Sequence, residues 1–306
     1  MTDLATHPHS SSAAVTAHAV VVGTDGSERS RGAVRWAAHE ARHQGLALRV
    51  FIALDDFVVP GAYLPSNVLL EDADATEQLV LDDPELAAAA QDGVDVAAVT
   101  VSGTPPQVLL DAAENARMLV VGCRGAGGFS RLVMGSTSTT LAGHAPLPVV
   151  VVPDSWHPRA DAPGSVVLGV DLHAPVKESI EFAMRHAAAT GVRLRAVAVW
   201  DTGQARLLDP EERRSAFASA HDSGLAHLGV ILRPWVKAHP GVEVRPEMVM
   251  GHPAGTLVEV AGEVGAGLLV VGRPRTTSVL GFPLGSTANA VLHHSGRPTA
   301  VVPPVA

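Results

Sequence analysis

The chain repeats itself, and that repeat constrains its fold more than any other feature. Leu119-Val120-Val121-Gly122 recurs as Leu269-Val270-Val271-Gly272, and Gly135-Ser136-Thr137 as Gly285-Ser286-Thr287, both at an offset of 150 residues. Val150-Val151-Val152-Pro153 answers to Ala300-Val301-Val302-Pro303 at the same offset, Gly103 and Pro105 answer to Gly251 and Pro253 at 148, and the run Val20 to Asp25 answers to Val166 to Asp171 at 146. Slippage this small fits minor loop changes inside a repeat that covers whole domains. The length of 306 residues agrees, being about two domains of roughly 150. The division expected is a loose tail over 1–17, a first domain over 18–153, a polar linker over 154–164 marked by Pro158 and Pro163, and a second domain over 165–306.

Within each copy, short apolar β-branched runs alternate with Ala-rich segments of helical period, the pattern of an α/β fold with a mainly parallel sheet. In copy one the strands fall near 19–24, 47–54, 94–101, 118–122 and 148–153, and the helices near 28–44, 76–91, 105–116 and 135–143. Ser27 is the expected N-cap of the first helix, with Glu28 in its first turn. Copy two places strands near 165–170, 192–200, 241–248, 267–272 and 298–303, and a longer helix over about 209–238.

Composition narrows the function. A formal charge of −9 argues against nucleic acid as the main partner, because that affinity rests on clustered Lys and Arg. No apolar run reaches the roughly 18 residues a membrane span needs, so no membrane insertion is expected. The single cysteine, Cys123, allows no intramolecular disulfide, and the first 17 residues lack an export signal; cytoplasm is the expected location. The 15 histidines show no metal-ligand spacing, so no metal ligand is named.

The chemistry concentrates after the fourth strand of copy one, in Gly122-Cys123-Arg124-Gly125-Ala126-Gly127-Gly128, followed by Gly135-Ser136-Thr137-Ser138 at a helix start. Glycines let backbone N–H groups approach an oxyanion, and a helix N-terminus adds unpaired donors and a favourable dipole; together they form a phosphate cradle. A P-loop is excluded, since it needs a lysine and residues 1–176 contain none. The Rossmann fingerprint fails as well, because its glycines belong in the first strand–helix turn and the nearest match here ends in Ser130.

The pattern Gly122-x-x-Gly125, nine residues, then Gly135-Ser136 resembles the nucleotide signature of ATP-binding universal stress proteins. Val20 to Ser27 resembles that family's first strand and turn, Val149 to Pro153 its closing strand, and tandem members have this chain length. The resemblance implies two doubly wound five-stranded sheets, mainly parallel, packed about a pseudo-twofold axis, with the first and fourth strands adjacent in the middle of each. Ligand would then sit where the strand order reverses. Thr24 and Asp25 would lie beside Gly122, Asp25 meeting the ribose or a bound Mg²⁺. Gly122, Gly125, Gly127, Gly128, Gly135, Ser136, Thr137 and Ser138 would hold phosphate, Arg124 would counter its charge, and adenine would meet Ala53 and Leu54. Copy two keeps Asp171, Gly272, Gly285, Ser286 and Thr287 as a weaker second site, but Leu172 and His173 replace Gly26 and Ser27, and Arg275 replaces Gly125. An L-residue where a left-handed backbone is needed costs roughly 1–2 kcal/mol, so copy two is expected to bind ATP weakly or not at all.

Plainer readings stand beside these. Glycine-rich turns are often purely structural, Asp25 could simply cap a helix, and Cys123 reads as a packed small residue rather than a redox sensor. The closing strands, apolar on both faces, must be covered, and the resemblance implies pairing of the two copies through them, with a further homodimer through the same strands; their own helices are the alternative cover. Three functions compete: an ATP-dependent stress or dormancy signalling module with an unidentified protein partner, a slow ATPase or phosphoryl-transfer enzyme acting at Ser136 or Thr137, and an adaptor that binds no nucleotide. The enzyme needs a base and a cation, and the sequence offers only Asp25 and Arg124.

Overall fold

The computed structural model describes residues 18–54, 57–59, 62–64, 73–123, 134–157, 164–201, 208–274 and 284–305. The first copy runs β1 (Val20–Thr24), α1 (Glu28–Gln44), β2 (Leu48–Leu54), a small hairpin of β3 (Phe57–Val59) and β4 (Ala62–Leu64), α2 (Ala73–Leu81), α3 (Pro84–Gln91), β5 (Val96–Ser102), α4 (Pro105–Ala113), β6 (Met118–Gly122), α5 (Ser136–His144) and β7 (Val149–Val152). The second runs β8 (Val166–Gly169), α6 (Lys177–Thr190), β9 (Leu194–Asp201), α7 (Pro210–Ala238), β10 (Val244–Gly251), α8 (Pro253–Glu263), β11 (Leu268–Gly272), α9 (Ser286–His294) and β12 (Thr299–Val302).

Ser27 caps α1 as expected, its side chain accepting from Ser30 N, and Gly45 closes the helix at φ 64°, a left-handed value that glycine adopts without strain. The helix expected over 76–91 is instead two, α2 and α3. Pro84 supplies no N–H and disfavours helical backbone before it, so Asp83 turns extended (φ −61°, ψ 128°) and its carboxylate caps the second piece by accepting from Glu85 N. The β3–β4 hairpin is an addition that the alternation of the sequence does not announce.

Ten strands form one sheet in the order β10-β9-β8-β11-β12-β7-β6-β1-β2-β5. Each half is a parallel, doubly wound set with its first and fourth strands side by side, β1 against β6 and β8 against β11. The halves join where β7 meets β12 antiparallel, with Val150 opposite Ala300, Val151 opposite Thr299 and Val149 opposite Val301. Since 300 − 150 is the repeat offset, the central pair joins equivalent positions, so the pseudo-twofold axis passes through Val150 and Ala300. The closing strands thus cover each other. A homodimer through the same strands is a reading the structure corrects: β7 lies between β6 and β12, and β12 between β11 and β7, leaving no edge there for another chain.

Strands buried on both faces need apolar residues at every position, and these have them. Val20, Val22, Val120, Val150, Val166, Leu168 and Val270 face one layer of helices, while Val21, Val121, Val151, Val167, Val271 and Val301 face the other. Both layers run across the junction. On the first, α1 meets α6 and the buried Glu40 accepts from His186 Nδ1 at 2.9 Å, with Trp36 stacked on the imidazole at a ring separation of 6.2 Å. Gln44 Nε2 donates to the same carboxylate oxygen. Because 186 − 40 equals the 146-residue offset of this segment, Glu40 and His186 are the same position of the repeat meeting itself at the axis.

Candidate functional site

In an open α/β sheet, ligands collect outside the carboxyl ends of the strands where the order reverses, here between β1 and β6. Val22 pairs with Val120, and two residues on along each strand Thr24 comes level with Gly122. Sequence segments about a hundred residues apart thereby share one edge. The turn after β1 is fixed by its own side chains. Thr24 Oγ1 accepts from Gly26 N at 3.1 Å and bonds Ser30 Oγ at 2.8 Å, and Asp25 Oδ1 accepts from Ser27 N at 3.0 Å. Gly26 sits at φ 73°, where a side chain would be strained. Ser27 rather than Asp25 caps α1, so the carboxylate of Asp25 shapes the turn at the exposed edge instead.

The start of α5 is drawn against the end of β6. Gly135 N donates to Cys123 O at 2.7 Å, Cys123 N donates to Val152 O at 2.9 Å, and the buried hydroxyl of Ser138 donates to Gly122 O at 2.7 Å. Ser138 therefore fastens the helix to the strand. Its N-cap is Gly135, and no side chain caps it. Where α1 and α7 satisfy first-turn amides with Ser27 and Asp209, α5 has no side-chain cap among the described residues, and its start lies beside Gly122. Open amides under a helix dipole fit a phosphate. Arg124, Gly125, Gly127 and Gly128 lie outside the described residues. Ala53 and Leu54 end β2 next to β1, opposite Val101 and Ser102, and Leu54 O already accepts from Gly103 N at 2.9 Å.

Copy two keeps the plan and changes the parts. Asp171 Oδ1 accepts from His173 N at 2.9 Å and Ala174 N at 3.3 Å, much as Asp25 does from Ser27 N. Leu172 shows no positive φ, and α6 begins at Lys177 although the repeat places its start at 28 + 146 = 174. The turn is rebuilt. Gly285 is again an uncapped N-cap, but the Pro274 ring presses on it so closely that a Cβ there would come within 3.1 Å. Ala288 replaces Ser138 and removes the hydroxyl that fastens the helix. A cavity of about 840 Å³ remains at this edge, lined by Asp171, Leu172, Trp200, Met248, Gly272 and Ser286 among others. A second cavity, of about 1040 Å³, opens at the junction of the halves near Glu40, His186, Arg195 and Arg297, and its lining includes no residue of either sequence-predicted site.

One residue at this edge escaped the sequence reading. Arg273 stands where copy one has Cys123, and its guanidinium crosses the junction to Ala142 O at 3.2 Å and Ala145 O at 2.9 Å. Burial pushes it below the usual arginine range. Cys123 in turn packs against the core and donates from Sγ to Asp154 Oδ1 at 3.0 Å. Among the described residues no group of three or more His, Cys, Asp or Glu could hold a metal, and no helix is long and apolar enough to cross a membrane.

A model of the universal stress protein family matches residues 16–153 and again 164–303. A universal stress protein of Mycolicibacterium smegmatis is 30% identical over 295 residues, covering 94% of this chain and 98% of its own. One from Mycobacterium tuberculosis strain H37Rv is 31% identical over 297 residues, covering 93% and 96%. Among solved structures, a universal stress protein from Archaeoglobus fulgidus superimposes with a TM-score of 0.67 at 21% identity, over 94% of this chain and 97% of that one, a likeness of fold.

Proposed function

Because the chain belongs to the universal stress protein family, with two of its domains in tandem, we propose that it is an ATP-binding module of stress or dormancy signalling whose first copy carries the nucleotide. One observation carries this reading: an uncapped helix start at Gly135, tied to Cys123 O and held beside the strand that bears Thr24 and Asp25. Phosphates lie on the amides of Ser136 and Thr137 and on the glycine loop from Gly122 through Gly125 to Gly128, Arg124 counters their charge, and Asp25 faces the ribose or a nucleotide-bound Mg²⁺. Ala53 and Leu54 border the adenine. Ser138 contributes by fixing the helix.

Copy two takes ATP weakly or not at all, since Pro274 crowds the helix start, Arg275 replaces the second glycine and the turn after Asp171 is rebuilt. The nucleotide sets the conformation shown to a protein partner in the cytoplasm. Nucleotide released by denaturing the purified protein, separated by chromatography, tests the reading: ATP or ADP near one per chain is expected, and none in a protein that also fails to bind added ATP overturns it. ADP accumulating over repeated turnovers would move the assignment to an enzyme.

A further inference from the structure

We propose that Arg273, from the diverged loop of copy two, is a positioning residue for the phosphate cradle of copy one: it grips the far end of α5 and so fixes where the start of that helix points. The inference rests on the nucleotide reading of copy one.

Arg273 N donates to Val302 O at 2.7 Å, as Cys123 N donates to Val152 O at 2.9 Å, so the two residues occupy equivalent backbone positions. Their side chains part company there. The last carbonyls of a helix have no donor within it, and a cation beside them also meets the negative end of the dipole. The Arg273 fork reaches two such carbonyls, Ala142 in the last turn of α5 and Ala145 just after it. A guanidinium keeps its charge when half-buried, which suits this place. Helix α5 has nine residues, too few to hold itself in water. Leu141 and Ala142 seat it on the core, and among the described residues its ends are held by Cys123 O and Gly122 O at the start and by Arg273 at the finish.

No grip runs the other way among the described residues. Cys123 turns to Asp154, and at Ser295, the counterpart of Ala145, the hydroxyl accepts from Arg297 N and Thr299 Oγ1. The copy that lost the second glycine steadies the copy that kept it. A sub-ångström tilt at Ala145 is carried along roughly 13 Å of helix to Ser136, where the phosphate amides lie.

The test uses Arg273→Ala and Arg273→Lys in the full chain, with calorimetric titration of ATP and of adenosine, and hydrogen exchange of α5 amides referred to those of α9. Arg273→Ala is expected to weaken ATP about tenfold while leaving adenosine within about twofold, with Arg273→Lys between it and the parent. Equal weakening of ATP and adenosine would reduce the role to general stability and overturn the proposal, as would unchanged ATP affinity. Should the parent chain bind no ATP, the nucleotide reading fails on its own account, and exchange then decides the grip: faster α5 exchange in Arg273→Ala upholds it, unchanged exchange refutes it.

Discussion

Helices α5 and α9 begin on the same Gly-Ser-Thr, follow equivalent strands and close on equivalent sides of one sheet. They differ in what surrounds their starts. The first is fastened by Ser138 and follows a loop whose second signature residue is glycine. The second has Ala288, a proline ring against Gly285, and an arginine in that loop. Both starts have a glycine N-cap without a side-chain cap, so on the proposed reading the surroundings of the helix start, and not the start alone, set copy one apart. On the proposed reading, one copy keeps the ligand and the other supports it.

The contrast can be broken most sharply by Gly125→Arg, which writes the copy-two residue into copy one. ATP affinity is expected to fall at least about tenfold as the arginine side chain takes phosphate space, while circular dichroism and thermal unfolding show a folded chain. Next in size is the pair at the axis. Glu40→His sets two imidazoles against each other where a carboxylate now accepts from His186, and chemical denaturation should show a loss of about 1–3 kcal/mol. Adding His186→Glu returns part of that loss, because the pair needs unlike partners and not a particular order; a double variant no more stable than the single one would contradict this. Ser138→Ala, the copy-two choice at that position, should cost about 1 kcal/mol and weaken ATP a few-fold, with calorimetry and unfolding measured on the same sample.

The smallest effect concerns His39, whose counterpart is Arg185. Burial holds its imidazole below the ordinary 6.5, against the pull of Glu85 and with the push of Arg42 and His43. The folded chain then binds fewer protons than the unfolded one around and below pH 6.5, so stability is retained above that value and declines as pH falls through the lowered one. Replacing His39 with Asn should make the decline between pH 7.5 and 5.5 shallower in thermal unfolding scans.

Much of this was legible in the residues. The repeat offsets announced two domains, the Val-rich runs located the parallel strands, and the spacing from Gly122 to Gly135 led to the edge where Thr24 and Asp25 also arrive. Pro84 itself marked a break, yet the helical run continuing through Ala87 to Ala90 concealed it. Arg273 and the Glu40–His186 contact were not legible, for a physical reason. Each depends on the angle at which two halves meet, and that angle is set by the antiparallel pairing of β7 with β12 rather than by any local pattern. Ser138 looked like one more hydroxyl at a helix start; only its burial under Gly122 O shows that it points inward.

The central claim, one nucleotide per chain in copy one, is tested most directly by counting bound ATP by native mass spectrometry on the parent chain and on Gly125→Arg. One ATP on the parent and none on the folded variant is the result predicted. Two on the parent would place nucleotide in copy two, and one that persists undiminished in the variant would remove Gly125 from the site; either contradicts the account.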